Sequence, residues 1–244
     1  MRLLSSPQRA IRAVLLSQVL MAGLIVGLDL WRAPGSAAPG LYAPPAQGPN
    51  VRPYRPDLRP ADPARPGAPA MRQMPERLQF DVEDDRIRII GQIAPGDADR
   101  FVEWLDRARP VAVQVALDSS GGSVSDAVAI GRTIRGAALT TRVEDGAVCL
   151  SACPYILAGG TERRVETGGV VGVHQHYFGQ NTFLPAFMAV SDLQRAQAGV
   201  MEYLVQMGVD LRLMTHALRT PPAEINVLEP DLMAELRLTT TAEG

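Results

Sequence analysis

From Leu78 onward the sequence predicts an α/β fold with largely parallel strands. Two observations predict it. Short β-rich apolar runs alternate with helical stretches through residues 78–244, the order that builds a parallel sheet covered by helices. And 46% of the residues are hydrophobic, enough for a real core in a chain of 244 residues. Two segments precede this domain: an apolar stretch within residues 1–32 and a Pro/Arg-rich stretch over residues 33–77.

Arg2, Arg9 and Arg12 come first, followed by an apolar run over residues 13–28 that only Ser17 and Gln18 interrupt. Asp29, Leu30 and Trp31 lie at its end. Two readings fit. A cleaved signal peptide needs a basic start, an apolar stretch and small residues at the cut. Gly35, Ser36, Ala37 and Ala38 supply the small residues, although Pro39 adjoins them. A signal anchor needs about 17–25 residues to span a bilayer. Residues 13–31 reach that length, with Trp31 at the interface, and the length favours the anchor. Either way the arginines lie before the run, so the remainder is expected outside the cytoplasm. In a Gram-negative cell this means a periplasmic domain, anchored in the inner membrane or secreted.

Residues 33–77 read as a disordered linker. Between residues 33 and 75 lie 12 of the 20 prolines, with Arg-Pro pairs starting at Arg52, Arg55, Arg59 and Arg65. Proline fixes φ and lacks an amide donor, so the stretch should be extended and unable to build a core. A spacer is the simpler reading; binding to a cell-wall polymer or a proline-recognising partner is the other.

Within the domain, Arg86-Ile87-Arg88-Ile89-Ile90 alternates as a strand. Residues 97–107 read as a helix, with Phe101, Leu105 and Ala108 at helical spacing. Residues 111–117 form an apolar run expected of a buried strand, and Ser119-Ser120-Gly121-Gly122 reads as a turn. Residues 125–135 are helical, 139–143 a strand, and 150–157 a short apolar helix opening at a serine. Residues 170–173 form a strand ending at His174. Ser191 suits the N-cap of a long helix over 192–207, which Gly208 ends. Residues 210–218 and 231–236 close the pattern.

Composition excludes several chemistries. The net charge of −2 creates no global field for nucleic acid or an anionic membrane. Every basic residue is arginine, so no lysine Schiff base, lysine general base or phosphate-loop lysine exists. Two cysteines are too few for a disulfide framework. The three histidines show no metal-binding spacing, so neither metal nor cofactor is expected.

Three segments could carry chemistry. Leu117-Asp118-Ser119-Ser120-Gly121-Gly122-Ser123 follows a strand and opens a helix. Paired glycines there turn the backbone sharply and present amides at a helix N-terminus, as an oxyanion requires; an ordinary strand-to-helix turn is the simpler reading. Ser151, in Cys149-Leu150-Ser151-Ala152-Cys153, opens an apolar helix, where a nucleophile gains from the dipole and from the Ala152 amide. A plain N-cap serine explains it equally. His174 ends a strand, where α/β proteins place their sites, and would act as general base; a surface polar residue is the alternative. His176, two residues on, is the second candidate base.

Together these segments carry a resemblance. Leu117 to Val124 resembles the strand-turn segment of Clp protease proteolytic subunits and signal peptide peptidases, usually Asn-Ser-Pro-Gly-Gly. Ser151-Ala152 with Leu157-Ala158-Gly159-Gly160 resembles the Clp serine motif, and Gly172-Val173-His174-Gln175 its Ile-His-Gln histidine motif. The similarity covers about residues 81–239. It implies a ββα superhelix of the Clp protease/crotonase type, with Ser151 as nucleophile and His174 as base. Gly122 and Ala152 would give oxyanion-hole amides, and Gly121 would shape the turn. Ser120 replaces the usual proline, and the absence of lysine excludes the signal peptide peptidase branch. The Clp acidic residue falls near Thr220, where no acid stands; Asp192, Asp210 and Glu224 are nearby in sequence.

Cys149 and Cys153 flank the serine at i−2 and i+2. In an oxidising compartment they could pair and fix its turn; otherwise they are two small buried residues packing the elbow. Residues 177–187, aromatic and small-polar, could line a substrate groove or a subunit contact.

The expected function is an extracytoplasmic serine peptidase of Clp type, acting on peptides or unfolded protein without ATP. The alternative keeps the fold as a catalytically impaired binding or scaffolding protein. A crotonase-type acyl-CoA enzyme would lack its coenzyme outside the cytoplasm. The resemblance also implies a homo-oligomer.

Overall fold

In the computed structural model the described residues are 7–31, 51–54, 57, 73–83, 85–176 and 186–240. The chain divides into two units, Met1–Ala46 and Gln47–Gly244. In the first, α1 spans Pro7–Trp31, and Ile11, Leu16, Leu20 and Ile25 on it are exposed. Among the described residues no helix is long and apolar enough to cross a membrane. The small residues 35–38 and most of the linker lie outside the described residues.

The second unit is mixed α/β. Its elements run β1 (Val51–Pro53), β2 (Gln79–Glu83), β3 (Arg86–Ile93), α2 (Asp97–Ala108), β4 (Gln114–Gly122) and α3 (Val124–Gly136). Then come β5 (Thr140–Val143), β6 (Val148–Leu150), α4 (Cys153–Ala158), β7 (Arg163–Val165) and β8 (Val170–Val173). The series closes with α5 (Ala186–Gln206), α6 (Arg212–Arg219), β9 (Glu224–Val227) and α7 (Pro230–Glu235).

The sheet runs β1-β9-β8-β6-β4-β3-β2, with β5 on β4 and β7 on β5. Its interior pairings are parallel, but β2–β3, β8–β9 and β1–β9 are antiparallel. The expectation of largely parallel strands therefore holds for the centre and not for the edges. Strand β4 is the fork. β3 lies along one side of it, while its first half pairs with β5 and Ser119 pairs with Cys149 of β6. Asp118 secures the fork by accepting a hydrogen bond from the Val148 amide at 3.1 Å.

The burial of β3 alternates along the strand, with Ile87, Ile89 and Ile93 inside. These pack with Phe101 of α2, Ile130 and Ile134 of α3, and Leu157 of α4 in one core. Each such side chain contributes about 1.5–3 kcal/mol on burial. Asp97, fully buried at the start of α2, accepts from the amides of Leu78 and Ala94 and pairs with Arg77 and Arg100. Ser123 caps α3 by accepting from the Asp126 amide.

Three sequence expectations shift. The run read as a strand over 111–117 starts later and continues through Ser119–Gly122, because the glycines still pair with Gln92 and Ile93 across a bulge. The long helix begins at Ala186, so Ser191 lies inside it rather than capping it. And Val51–Pro53, inside the stretch read as linker, pairs with β9 because its strand edge is otherwise open.

Candidate active site

The pairing of β6 with β8 builds the centre. Their parallel register aligns Leu150 with Gly172. Ser151 follows Leu150 directly and donates its amide to the Gly172 carbonyl at 2.9 Å. The chain then breaks sharply: Ser151 holds φ 60°, a left-handed conformation uncommon for serine, before Cys153 starts α4. This elbow lifts the hydroxyl off the sheet end. His174 leaves the neighbouring strand two residues past Gly172, so both side chains meet at the same edge. The His174 Nε2 to Ser151 Oγ distance is 2.7 Å. The sequence-predicted pair is therefore brought together.

Gly121 packs under the elbow. A Cβ added there would lie 2.4 Å from the Leu150 carbonyl, 2.5 Å from the Ser151 Cβ and 2.9 Å from the Ala152 amide nitrogen. Gly122 instead rests on the carbonyl of Ile93, which a Cβ would approach to 2.2 Å. Of the three residues expected to form the oxyanion site, Gly121 and Ala152 touch the elbow directly. Gly122 borders the adjoining cavity.

Cys149 and Cys153 form a disulfide across the elbow, with Cα atoms 5.0 Å apart. The two belong to different elements, β6 and α4, so the bond does not need to follow a single helix face. It closes a short loop around the serine, which is expected to contribute about 2 kcal/mol by restricting the unfolded chain. The Cys149→Ala/Cys153→Ala protein is therefore expected to melt about 4–8 °C lower by calorimetry. Two free thiols in the mass spectrum of natively purified protein would remove the premise.

His174 is 5% exposed, and its Nδ1 has no hydrogen-bond partner among the described residues. The acids considered from sequence stand elsewhere. Asp192 pairs with Arg195, Asp210 with Arg212, and Glu224 lies in β9. Thr220 does border the histidine strand, accepting from the Gln175 amide at 3.0 Å, but its hydroxyl donates to the His216 carbonyl. Burial, and next the charge of His176, push the His174 imidazole down to about 4. The neutral, proton-accepting form thus persists to well below neutrality. His174 binds a proton more readily unfolded than folded, so this group's stabilisation is present above about pH 6.5 and is lost as pH falls toward about 4. Reaction of Ser151 with an electrophile is expected to hold its rate from pH 8 down to about 5 and decline through about 4. A profile that halves near pH 6.5 would contradict the burial of this base.

His176 does not share the role. Strand β8 stops at Val173, and the His176 Nε2 turns to the Tyr155 hydroxyl at 2.7 Å. It lines a largely apolar cavity of about 680 Å³ beside the elbow, with Gly122, Val124, Val128 and Val200. Most of the aromatic segment 177–187, read as a groove or subunit contact, lies outside the described residues.

A comparison with protein-family models finds no match for this chain, and a comparison with curated proteins finds none either.

Sequence reasoning missed one member of this site. Tyr54, from the stretch read as linker, sets its ring 4.5 Å from the His174 ring and donates its hydroxyl to the Ser120 carbonyl at 2.5 Å. Burial pushes its phenol up to about 12, partly offset by the neighbouring Ser151 side chain. A signal was present: Val51 is the sole β-branched residue between 33 and 75, and Tyr54 is one of two aromatics there.

Proposed function

We propose that the second unit is an extracytoplasmic serine peptidase of Clp type, hydrolysing peptides or unfolded protein through an acyl-enzyme. The observation that carries this reading is the 2.7 Å contact of the His174 Nε2 with the Ser151 hydroxyl at a left-handed elbow. Serine is a weak nucleophile unless a base takes its proton as it attacks. Ser151 Oγ would bond to the substrate carbonyl carbon while its proton passes to His174. The amides of Gly122 and Ala152 would hold the resulting oxyanion. Collapse returns that proton to the departing amine and leaves an ester on Ser151. Water, deprotonated by His174, then releases the acid and restores the serine.

The forked mixed sheet is compatible with the Clp/crotonase superhelix, which we propose as its fold. The disulfide supports an oxidising compartment, and the apolar segment within residues 1–32 is proposed to deliver the domain there, as a signal anchor or signal peptide. Association into a homo-oligomer belongs to the same proposal.

One observation favours the catalytically impaired scaffold as a second reading: the Nδ1 of His174 meets no acid among the described residues. An orienting carboxylate is worth about 10⁴-fold where a triad has been dissected. A fluorophosphonate probe separates the two. Covalent labelling of the full chain, mapped by peptide mass spectrometry to Ser151, is the result expected of a peptidase. A folded protein that takes up no probe over hours would shift the assignment to the scaffold.

A further inference from the structure

The strap that carries Tyr54 is held by little. β1 is three residues long, and its Val51, Arg52 and Pro53 face Asn226, Ile225 and Glu224 of β9. Pro53 offers no amide to that ladder, and the Tyr54 amide adds one bond, to the Ala223 carbonyl at 2.9 Å. So short an edge strand sits at the low end of local stability. Yet its last side chain lies in the most consequential place in the domain. The ring lies tilted against that of His174, with centroids 4.5 Å apart, and the hydroxyl donates to the Ser120 carbonyl. Ser120 immediately precedes Gly121, which packs on the elbow. A carbonyl carbon attacked by Ser151 must occupy that same neighbourhood, within reach of the Ala152 amide. Tyr54 and a substrate cannot both be there.

We propose that residues 51–54 are a resident strap that closes the Ser151–His174 site, and that an extended peptide enters by taking the strap's place along the edge of β9. An edge strand exposes a row of unpaired backbone donors and acceptors, which an incoming extended segment satisfies as well as β1 does. The ligand class is therefore unfolded polypeptide, and a folded protein is excluded unless it offers a free strand. Being part of the same chain, the strap is a tethered competitor whose high local concentration offsets its few contacts. This inference rests on the peptidase reading for its consequence, although the closure itself is a matter of structure.

The test uses the full chain as wild type, Tyr54→Ala and Tyr54→Phe. The rate of fluorophosphonate labelling follows the fraction of molecules that are open. Loss of the ring contact and its hydrogen bond should raise that rate about tenfold or more in Tyr54→Ala, with Tyr54→Phe between it and wild type. The His174 imidazole, followed by NMR, should titrate closer to its ordinary range in Tyr54→Ala. Labelling of Tyr54→Ala at or below the wild-type rate would overturn the strap and make Tyr54 a support for His174. If no protein labels, the peptidase reading fails, and the titration alone decides: a raised His174 value upholds the closure and an unchanged one refutes it. Amide exchange in the wild type serves as a check that no variant can confuse. The Tyr54 amide should exchange far faster than those of β6 and β8, and equal protection would show a strap that does not open.

Discussion

Alanine at His174 is expected to slow fluorophosphonate labelling of Ser151 by about 10²–10⁴-fold, the range that a positioned general base supplies. The reason lies in what surrounds the serine. Among the described residues its hydroxyl has one basic nitrogen within hydrogen-bond reach, the Nε2 at 2.7 Å. The other candidate base, His176, has its own Nε2 on the Tyr155 hydroxyl, and burial lowers its basicity. No lysine exists to substitute. Ser151→Ala should abolish labelling outright and serve as the baseline. Added imidazole should restore part of the rate to His174→Ala and none to Ser151→Ala, a pattern that a merely structural histidine would not give. Equal labelling of wild type and His174→Ala would show that the 2.7 Å contact is not a catalytic one.

How much of this site the sequence reveals depends on the range of the interactions that build it. Ser151 and His174 are readable because each sits at the end of a short apolar strand, and the parallel register of adjacent strands then brings strand ends together. The Gly121-Gly122 pair is readable for the same local reason, although its strand runs on where a turn was expected. Spacing alone leaves the disulfide open, because it does not say whether Cys149 and Cys153 share a helix. The strand-to-helix break at Ser151 answers it. Tyr54 is only weakly signalled. It acts across 120 positions of chain, 174 minus 54, and its neighbours Arg52, Pro53, Arg55 and Pro56 all argue for an unstructured stretch. What orders it is the vacant edge of β9, a four-residue strand absent from the elements read along the chain. Local propensity describes such a segment correctly and still loses to a long-range strand partner.

Gly121→Ala tests whether the elbow, rather than the mere presence of serine and histidine, makes the site. Two effects act together. At φ 94° an alanine backbone is strained, which costs about 1–3 kcal/mol of stability. In addition the new methyl would lie 2.4 Å from the Leu150 carbonyl and 2.5 Å from the Ser151 Cβ, so the elbow itself must move. A displacement on the order of 1 Å in a reacting group costs about a hundredfold in rate. Gly146→Ala separates the two effects. It too sits at positive φ, 72°, but a Cβ there meets nothing within 4 Å. It should lower the melting temperature while labelling proceeds at the wild-type rate. Gly121→Ala should lose both, and its loss of labelling should persist at temperatures where calorimetry shows the protein fully folded. If Gly121→Ala melts lower but labels as fast as Gly146→Ala, the close packing of Gly121 on the elbow has no bearing on the nucleophile. Alignment of Ser151 would then come from the β6–β8 register and the disulfide alone.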